Sequence, residues 1–150
     1  MMPAVIVKLL ATMAILCQLA PVLPEPEPEP WEPAEADVTA LAQTLWGECR
    51  GCSELQQKAV CWCVFNRVDD DRFPDTVIEV LAAPYQFMGY KTSFPVTEEL
   101  ADLARSCLID WHNGENRVLE PEFVFFHGDG RINIFTTQYG KEEGRRWAEE

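Results

Sequence analysis

Hydrophobic residues recur at helical spacing in two adjacent segments near the middle of the chain. The first stripe follows Asp37, which we expect to be its N-cap, and its end is bracketed by Gly47 and Gly51. The second starts at Ser53, with Gln56 three residues further on, in the S-x-x-Q pattern of a capping box. The pattern therefore predicts two amphipathic helices joined by a short glycine-containing turn.

Two further helices are predicted downstream. A short apolar segment over residues 77–81 is stopped by Pro84, because proline cannot continue a helix. A longer stripe begins after Thr97, a good N-cap residue, and ends near Gly114. The central part of the chain is thus predicted to be helical.

The last part of the chain changes its period. Residues 122–128 (EFVFFHG) and 132–139 (INIFTTQY) are rich in β-branched and aromatic side chains, and Asp129-Gly130 lies between them. An Asp-Gly pair between two such segments is a hairpin signal. Helices followed by a hairpin indicate an α+β fold that is mainly helical, with a C-terminal β-hairpin.

The N-terminal residues differ in composition from the rest. Residues 1–23 contain one charge, Lys8, followed by the apolar run LLATMAILC, which is typical of a signal peptide or an N-terminal membrane anchor. Residues 24–36 alternate Pro with Glu, and such a segment should be an extended, stiff linker. The sequence predicts one folded domain over residues 37–150, exported to the cell wall, the membrane surface or the medium, with the N-terminal segment as a membrane tether.

The charge of the chain excludes some partners. The net charge is −13, and residues 38–150 alone contain 19 acidic and 11 basic residues, a net of −8. Phosphate contacts need clustered Lys or Arg, so we expect no nucleic-acid binding. We expect no cofactor, and a monomer.

The cysteines suggest several chemistries. Cys49 and Cys52 have the spacing of a zinc knuckle, but Cys61 and Cys63 lie two apart in a predicted helix and point about 200° apart. Helical stripes also contain Cys63 and Cys107, where a cysteine is a small buried hydrophobe. Buried thiols, a disulfide involving Cys49, Cys52 or Cys61, and a metal site all stay open, and Cys52 is the best candidate for a thiol nucleophile.

One acid, Glu48, has an unusual setting. It follows Trp46 at the end of an apolar helix and precedes a glycine turn. A carboxyl group that is partly desolvated beside an indole has a raised pKa and can act as a general acid. Arg50 has the opposite effect if its guanidinium points at the same carboxylate.

Four motifs in order resemble the SleB/CwlJ-type cell-wall hydrolase family, the spore-cortex-lytic enzymes and their relatives. They are GECRG at 47–51, a helix ending in VFNRV at 64–68, FPDTV at 73–77 and QF at 86–87. The hairpin FFHGDGRINIFTT is similar to the family's C-terminal element. The resemblance covers roughly residues 41–135.

This resemblance implies a lysozyme-like α+β domain that acts on the glycan strands of peptidoglycan. By the resemblance, Glu48 is the catalytic acid of a lytic transglycosylase: it protonates the oxygen between N-acetylmuramic acid and N-acetylglucosamine. It then takes the proton of the muramoyl 6-hydroxyl, which closes a 1,6-anhydro ring. Such chemistry needs one carboxyl group, because the substrate supplies the nucleophile.

Sugar sites use aromatic platforms and amide side chains. The candidate substrate-binding residues are Tyr85, Gln86, Phe87, Tyr90, Asn66 and His127. Asn66 and the adjacent Arg67 have a structural alternative, as partners that pair within the fold at the end of a helix. No residue is assigned to a metal.

The chain departs from the family pattern at several positions. Cys52 stands where the family motif usually has a second acid, and Cys49, Cys61 and Cys63 replace small residues. Ile132 falls where a polar His or Asn is expected, with Asn133 next. Two other functions stay open: a non-catalytic wall-binding module stabilised by zinc or a disulfide, and a peptidoglycan amidase.

Overall fold

The structure is a computed structural model that describes residues 23–129, 131–141 and 144–146. The chain divides into two compact units, Met1–Pro30 and Trp31–Glu150. In the first unit, residues 23–30 have no regular secondary structure and are exposed. The predicted signal or anchor lies outside the described residues except for Leu23.

The second unit begins with four helices. They are α1 (Glu35–Cys49), α2 (Glu54–Val68), α3 (Val77–Ala82) and α4 (Glu98–Asn113). Helix α2 is the central one, since residues 59–67 are all buried and it packs against the other three helices. A helix that is covered on all sides belongs to the core, and the four cysteine and aromatic positions of α2 (Cys61, Trp62, Cys63 and Phe65) fill that core.

The helix ends follow the predicted signals with one exception. Ser53 and Thr97 accept the backbone N–H of the residue three positions later, and Gly114 ends α4 with φ +70°. The prediction that Asp37 caps the first helix is wrong. Helix α1 begins at Glu35, with Ala34 at the N-cap and no side-chain cap, so Asp37 lies in its acidic first turn.

The C-terminal part forms a small antiparallel sheet. Strands β1 (Phe125–Gly128) and β2 (Asn133–Thr136) form the predicted hairpin, with Phe126 opposite Phe135. A two-residue strand, β3 (Arg145–Arg146), adds to the other edge of β2. Phe135 is buried in the same hydrophobic cluster as the helix residues, which attaches the sheet to the helical core, and its ring lies 5.6 Å from that of Phe126 on the neighbouring strand.

The architecture is therefore mostly helical with a small C-terminal antiparallel sheet, as the change of period predicts. Within the described ranges, no helix is long and apolar enough to cross a membrane. The fold brings two regions to the surface that bear on function. One is the turn after α1, and the other is a cavity beside the hairpin.

Candidate active site

The first region is the acid turn, residues 47–51, where α1 ends. Glu48 lies in the last turn of the helix and its side chain is half-buried. The backbone N–H of Gly89 donates a hydrogen bond of 2.7 Å to Glu48 Oε1. The carboxyl group is thus held by a loop that is 41 residues away in sequence, at the edge of a shallow recess of about 320 Å³.

Two glycines make this contact possible. A Cβ atom on Gly47 would collide with the backbone of Gly89, and a Cβ on Gly89 would lie 2.7 Å from Glu48 Cδ. Real Cβ atoms do not approach other atoms so closely, so both positions require glycine. The sequence around Glu48 is therefore shaped by the close approach of the two backbone segments.

The environment of Glu48 resolves the question about its charge. Burial raises the pKa of Glu48, and the Gly89 hydrogen bond offsets part of that rise. Arg50 does not oppose the shift, because its guanidinium lies over the Trp46 ring and donates to the Trp46 carbonyl oxygen at 2.8 Å. The carboxyl group is therefore biased toward its protonated form, as a general acid requires.

The second region is the hairpin cavity, which has a volume of about 360 Å³. Its lining is aromatic, amide and cationic, and includes no Asp or Glu among the described residues: Arg67, Tyr85, Gln86, Phe125, Phe126, His127, Thr136, Tyr139, Gly140 and Lys141. The absence of acids from the described part of this lining contrasts with the net charge of −13 of the chain.

Arg67 forms the base of the hairpin cavity. Arg67 is 3% exposed. Its Nε donates a hydrogen bond to the carbonyl oxygen of Val124, and its Nη1 donates one to Gln86 Oε1 at 2.9 Å. The guanidinium also lies 4.7–5.3 Å from the ring centroids of Phe73, Phe87 and Phe125. These cation–π contacts and hydrogen bonds join α2, the loop after α3 and β1 around one buried charge.

Three of the six predicted substrate-binding residues meet at this cavity. Tyr85, Gln86 and His127 all line it, and Tyr85 is 92% exposed in a left-handed conformation with φ +62°. Such a conformation is strained for a tyrosine, and strained residues concentrate at functional sites. The aromatic ring is therefore displayed at the mouth of the cavity rather than packed.

The other three residues lie elsewhere. Phe87 is buried and packs against Phe126, and Tyr90 is half-buried against the core. Asn66 is 2% exposed and donates to the carbonyl oxygens of Glu120 and Phe123, while Arg117 donates to its Oδ1. For Asn66, these contacts correspond to the structural alternative, pairing within the fold.

The acid turn and the hairpin cavity are linked by the loop after α3. Gln86 lines the cavity and Gly89 holds Glu48, so the two contacts are separated by three residues, or at most about 11 Å of chain. The structure does not place Glu48 in the lining of the cavity. It places the acid and the cavity at opposite ends of one short loop segment.

Sequence reasoning missed several residues of these two regions. The sequence does not single out Gly89, Thr136, Tyr139 or Lys141 as site residues, and it leaves Arg67 open between substrate contact and pairing within the fold. For Gly89 and Lys141 no local pattern signals the role, because it depends on contacts with segments far away in sequence. Tyr139 directly follows the predicted second strand, and an exposed aromatic at that position was the available signal.

None of the five cysteines in the described residues forms a disulfide, and four of them are buried: Cys49, Cys61, Cys63 and Cys107. In the same part of the chain, no group of three or more His, Cys, Asp or Glu side chains is placed to hold a metal ion. The cysteines therefore belong mainly to the core, with Cys52 at its edge.

A mostly helical domain with a partly buried acid and a nearby aromatic cavity does not by itself define one class of protein. The comparison with known families is more specific. The model of the cell wall hydrolase family, Hydrolase_2, matches residues 51–146, and the chain belongs to this family. The match begins three residues after Glu48. It therefore includes the described residues that line the hairpin cavity but does not include the acid itself.

Two curated relatives are similar to about half of the chain. The spore cortex-lytic enzyme of Halalkalibacterium halodurans is 29% identical over 83 residues, which cover 55% of this chain and 25% of the relative. That of Oceanobacillus iheyensis is 32% identical over 81 residues, which cover 54% of this chain and 29% of the relative. The matched segment thus spans little more than a quarter of each relative, and no solved structure is significantly similar to the chain.

Proposed function

We propose that this protein cleaves the glycan strands of peptidoglycan as a lytic transglycosylase, with Glu48 as the general acid and base. Membership of the cell wall hydrolase family supports the substrate class. The observation that carries the mechanism is the half-buried carboxyl group of Glu48, whose pKa is raised by burial while a backbone N–H holds it in place.

The first step is proton donation. Gly89 N–H donates to Oε1, so this oxygen acts as the carbonyl oxygen of the acid and the proton resides on Oε2. When the glycosidic oxygen of the substrate lies within hydrogen-bond distance of Oε2, Glu48 protonates it as the bond to C1 of the muramic acid breaks. The fixed orientation of the carboxyl group lowers the activation barrier, because the group is oriented before the substrate binds.

The second step uses the same residue as a base. The Glu48 carboxylate takes the proton of the muramoyl 6-hydroxyl, and the 6-oxygen attacks C1 to form a 1,6-anhydro ring. Glycosidases that use water usually need two carboxyl groups about 5–9.5 Å apart. The recess at the acid turn is lined by residues 47–51, in which Glu48 is the acid, so one-carboxyl chemistry suits it.

The hairpin cavity provides the binding surface for the glycan. Tyr85 and Tyr139 offer exposed rings for sugar faces, and Gln86 and His127 offer polar groups for hydroxyl and N-acetyl groups. Binding there places the adjoining part of the strand toward the acid turn through the short loop that joins them. Peptidoglycan is the partner, and no cofactor takes part.

The same proposal covers the setting of the protein. Residues 1–23 export or tether the chain, the Pro/Glu-rich residues 24–30 hold the domain away from a surface, and the unit from Trp31 onward, with a lysozyme-like fold, reaches the wall. Relatives named as spore cortex-lytic enzymes favour a role in degrading spore or vegetative wall.

Product analysis tests this proposal. Purified peptidoglycan is digested with the full-length protein, and the released fragments are analysed by mass spectrometry. We expect anhydro-muropeptides from the wild type and a loss of about 10²-fold or more in Glu48→Gln, because the amide keeps the shape but cannot donate the proton. Glu54→Gln is the matched control, since Glu54 is exposed and pairs with Lys58 on the surface.

The other outcomes identify the alternatives. Reducing ends in place of anhydro ends indicate hydrolysis by water, and cleaved amide bonds indicate an amidase. Binding to the wall without any product, unchanged in Glu48→Gln, indicates a non-catalytic wall-binding module and contradicts the proposal.

A further inference from the structure

Cys49 and Cys52 form a pair that the proposed mechanism does not use. The two thiols are close enough for each to shift the pKa of the other. The N–H of Cys52 also donates to the carbonyl oxygen of Cys49 at 2.9 Å, and Arg50 between them has φ −57° and ψ −23°. This is a β-turn, which brings the two Cα atoms within about 7 Å, close to the separation that a disulfide bridges.

A buried amide is directed at the same sulfur. Asn133 is 2% exposed, and its Nδ2 lies 3.5 Å from Cys52 Sγ. Asn133 is positioned by Gln56, whose Oε1 accepts the backbone N–H of Asn133 at 2.9 Å. Strand β2 and helix α2 thus place an N–H donor on a cysteine sulfur, an arrangement that stabilises the thiolate.

The two thiols differ in access. Cys52 is half-buried and lines a surface recess of about 390 Å³ together with Arg50, Gln57 and Lys58. Cys49 is 1% exposed and lies behind it. The Cys52 sulfur can therefore react with a reagent from solution, whereas the Cys49 sulfur can react only with its neighbour.

We propose that Cys49 and Cys52 are a redox-active dithiol that exchanges with disulfides through the Cys52 sulfur. The contact with Cys49 and the Asn133 amide lower the pKa of Cys52, whereas the neighbouring Cys52 raises that of Cys49. Both shifts agree with a Cys49 S–H that donates to a Cys52 thiolate. The inference does not depend on the proposed glycan cleavage.

The reaction with a small disulfide such as glutathione disulfide has two steps. The Cys52 thiolate attacks one sulfur of the disulfide, that S–S bond breaks, and one glutathione thiolate leaves. Cys49 loses its proton to solvent and attacks the Cys52 sulfur, which expels the second glutathione. The two protein thiols lose two electrons in total, and the disulfide is reduced to two thiols.

The chain provides a direct test, because trypsin cleaves after Arg50 and separates the two cysteines. The full-length protein is equilibrated in buffers of increasing glutathione disulfide, free thiols are alkylated, and tryptic peptides are analysed by mass spectrometry. We expect the peptides that carry Cys49 and Cys52 to become linked, and excess reduced glutathione to separate them. Fragment ions assign the link to Cys49 rather than Cys17, which lies in the same peptide.

Variants make the test specific. The Cys49→Ser variant should accumulate a glutathione adduct on Cys52, because the thiol that would displace the glutathione is missing. If this variant does not fold in reductant, Cys49→Ala is used in its place. Cys63→Ser is the matched control: Cys63 is buried on α2 and contacts Arg67, so the linked peptides should form as in the wild type. A folded wild type that stays reduced throughout, a link between Cys61 and Cys107 alone, or a Cys49 variant without the adduct would overturn the proposal.

Discussion

The acid turn and the hairpin cavity are built in opposite ways. The acid turn is local: Glu48, Trp46, Arg50 and Gly47 all lie within five residues, and one distant residue, Gly89, completes it. The cavity is assembled from α2, the loop after α3 and the hairpin around the buried Arg67. This difference separates the two proposed roles, since the proposed catalytic acid lies in a short segment and the proposed binding surface depends on the fold.

The largest effect that separates the two regions is expected from Gly89→Ala. Its Cβ would lie 2.7 Å from Glu48 Cδ, so the carboxyl group must move. We expect a loss of about 1–3 kcal/mol in the free energy of unfolding from overpacking. The rate at which anhydro-muropeptides are formed should fall about 10²-fold, because a displaced catalytic group loses its alignment.

Gly114→Ala is the control for that variant. Gly114 has φ +70° with open space around it, so alanine costs about 1 kcal/mol from the left-handed conformation alone. The rate of anhydro-muropeptide formation per folded molecule should stay at the wild-type value. An equal loss of this rate in both variants would show that the Gly89–Glu48 contact has no special role.

Asn66→Ala tests the support beneath the hairpin cavity. Its amide holds the segment that leads into β1 by donating to the carbonyl oxygens of Glu120 and Phe123 at 2.8 and 3.0 Å. We expect a loss of about 3 kcal/mol in the free energy of unfolding, measured by urea titration, because buried acceptors lose their donor. Asn113→Ala, on the exposed end of α4, should change it by less than about 0.5 kcal/mol.

The kinetic parameters of Asn66→Ala decide between its two interpretations. At a temperature where the variant is folded, KM for soluble glycan fragments should match that of the wild type. A large rise in KM would instead mean that Asn66 contacts the glycan.

The pH dependence tests the acid turn alone. Burial raises the pKa of Glu48, so the protonated acid persists above the ordinary range of a glutamate, and the rate should fall about tenfold per unit once pH exceeds that pKa. The free energy of unfolding should also decrease as pH rises, in the same direction as the rate. The wild type should lose stability relative to Glu48→Gln as pH rises through the raised pKa, since the charged form is disfavoured in the folded state.

Arg50→Ala serves as the control for the pH profile. Its guanidinium lies over Trp46 rather than on the carboxylate, so the midpoint should not move. An upward shift of the midpoint in Arg50→Ala would show that Arg50 stabilises the ionised form of Glu48 after all.

Tyr85→Gly should have the smallest effect, with opposite signs on stability and binding. Glycine relieves the left-handed conformation at φ +62°, so the free energy of unfolding should rise by about 1 kcal/mol. Loss of the ring should raise KM several-fold with little change in kcat. Met88→Ala, in the same loop and 78% exposed, should change neither quantity, and an unchanged KM in Tyr85→Gly would remove the ring from the binding surface.

Much of the fold was predictable because its signals are local. Ser53, Thr97 and Gly114 act at helix ends within three or four residues of their partners, and the hairpin follows from β-branched and aromatic residues on both sides of Asp129-Gly130. Asp37 failed as a cap because Ala34 can start the helix without a side-chain bond, and the acidic residues of the first turn then fit the helix dipole.

The candidate site was predictable in part. The side chains of Tyr85, Gln86 and His127 meet at one cavity, but Phe87 and Asn66, adjacent in sequence to cavity residues, point into the interior. A periodic pattern does not apply in the irregular loop that carries Phe87, so the direction of its side chain depends on what it packs against. Asn66 lies in α2, where residues 59–67 are all buried, so helical spacing does not separate an outer face from an inner one there. The role of Glu48 as the acid stays a prediction that product analysis tests.

The sequence by itself determined the elements, their order and the short segment that carries Glu48, because these depend on neighbours a few residues apart. Only the tertiary structure decided that Arg50 turns away from Glu48, that Gly89 holds it, and that Cys52 meets Asn133. The last two contacts join residues that are 41 and 81 positions apart. Packing of the four helices and the sheet fixes such contacts, and no local preference encodes them.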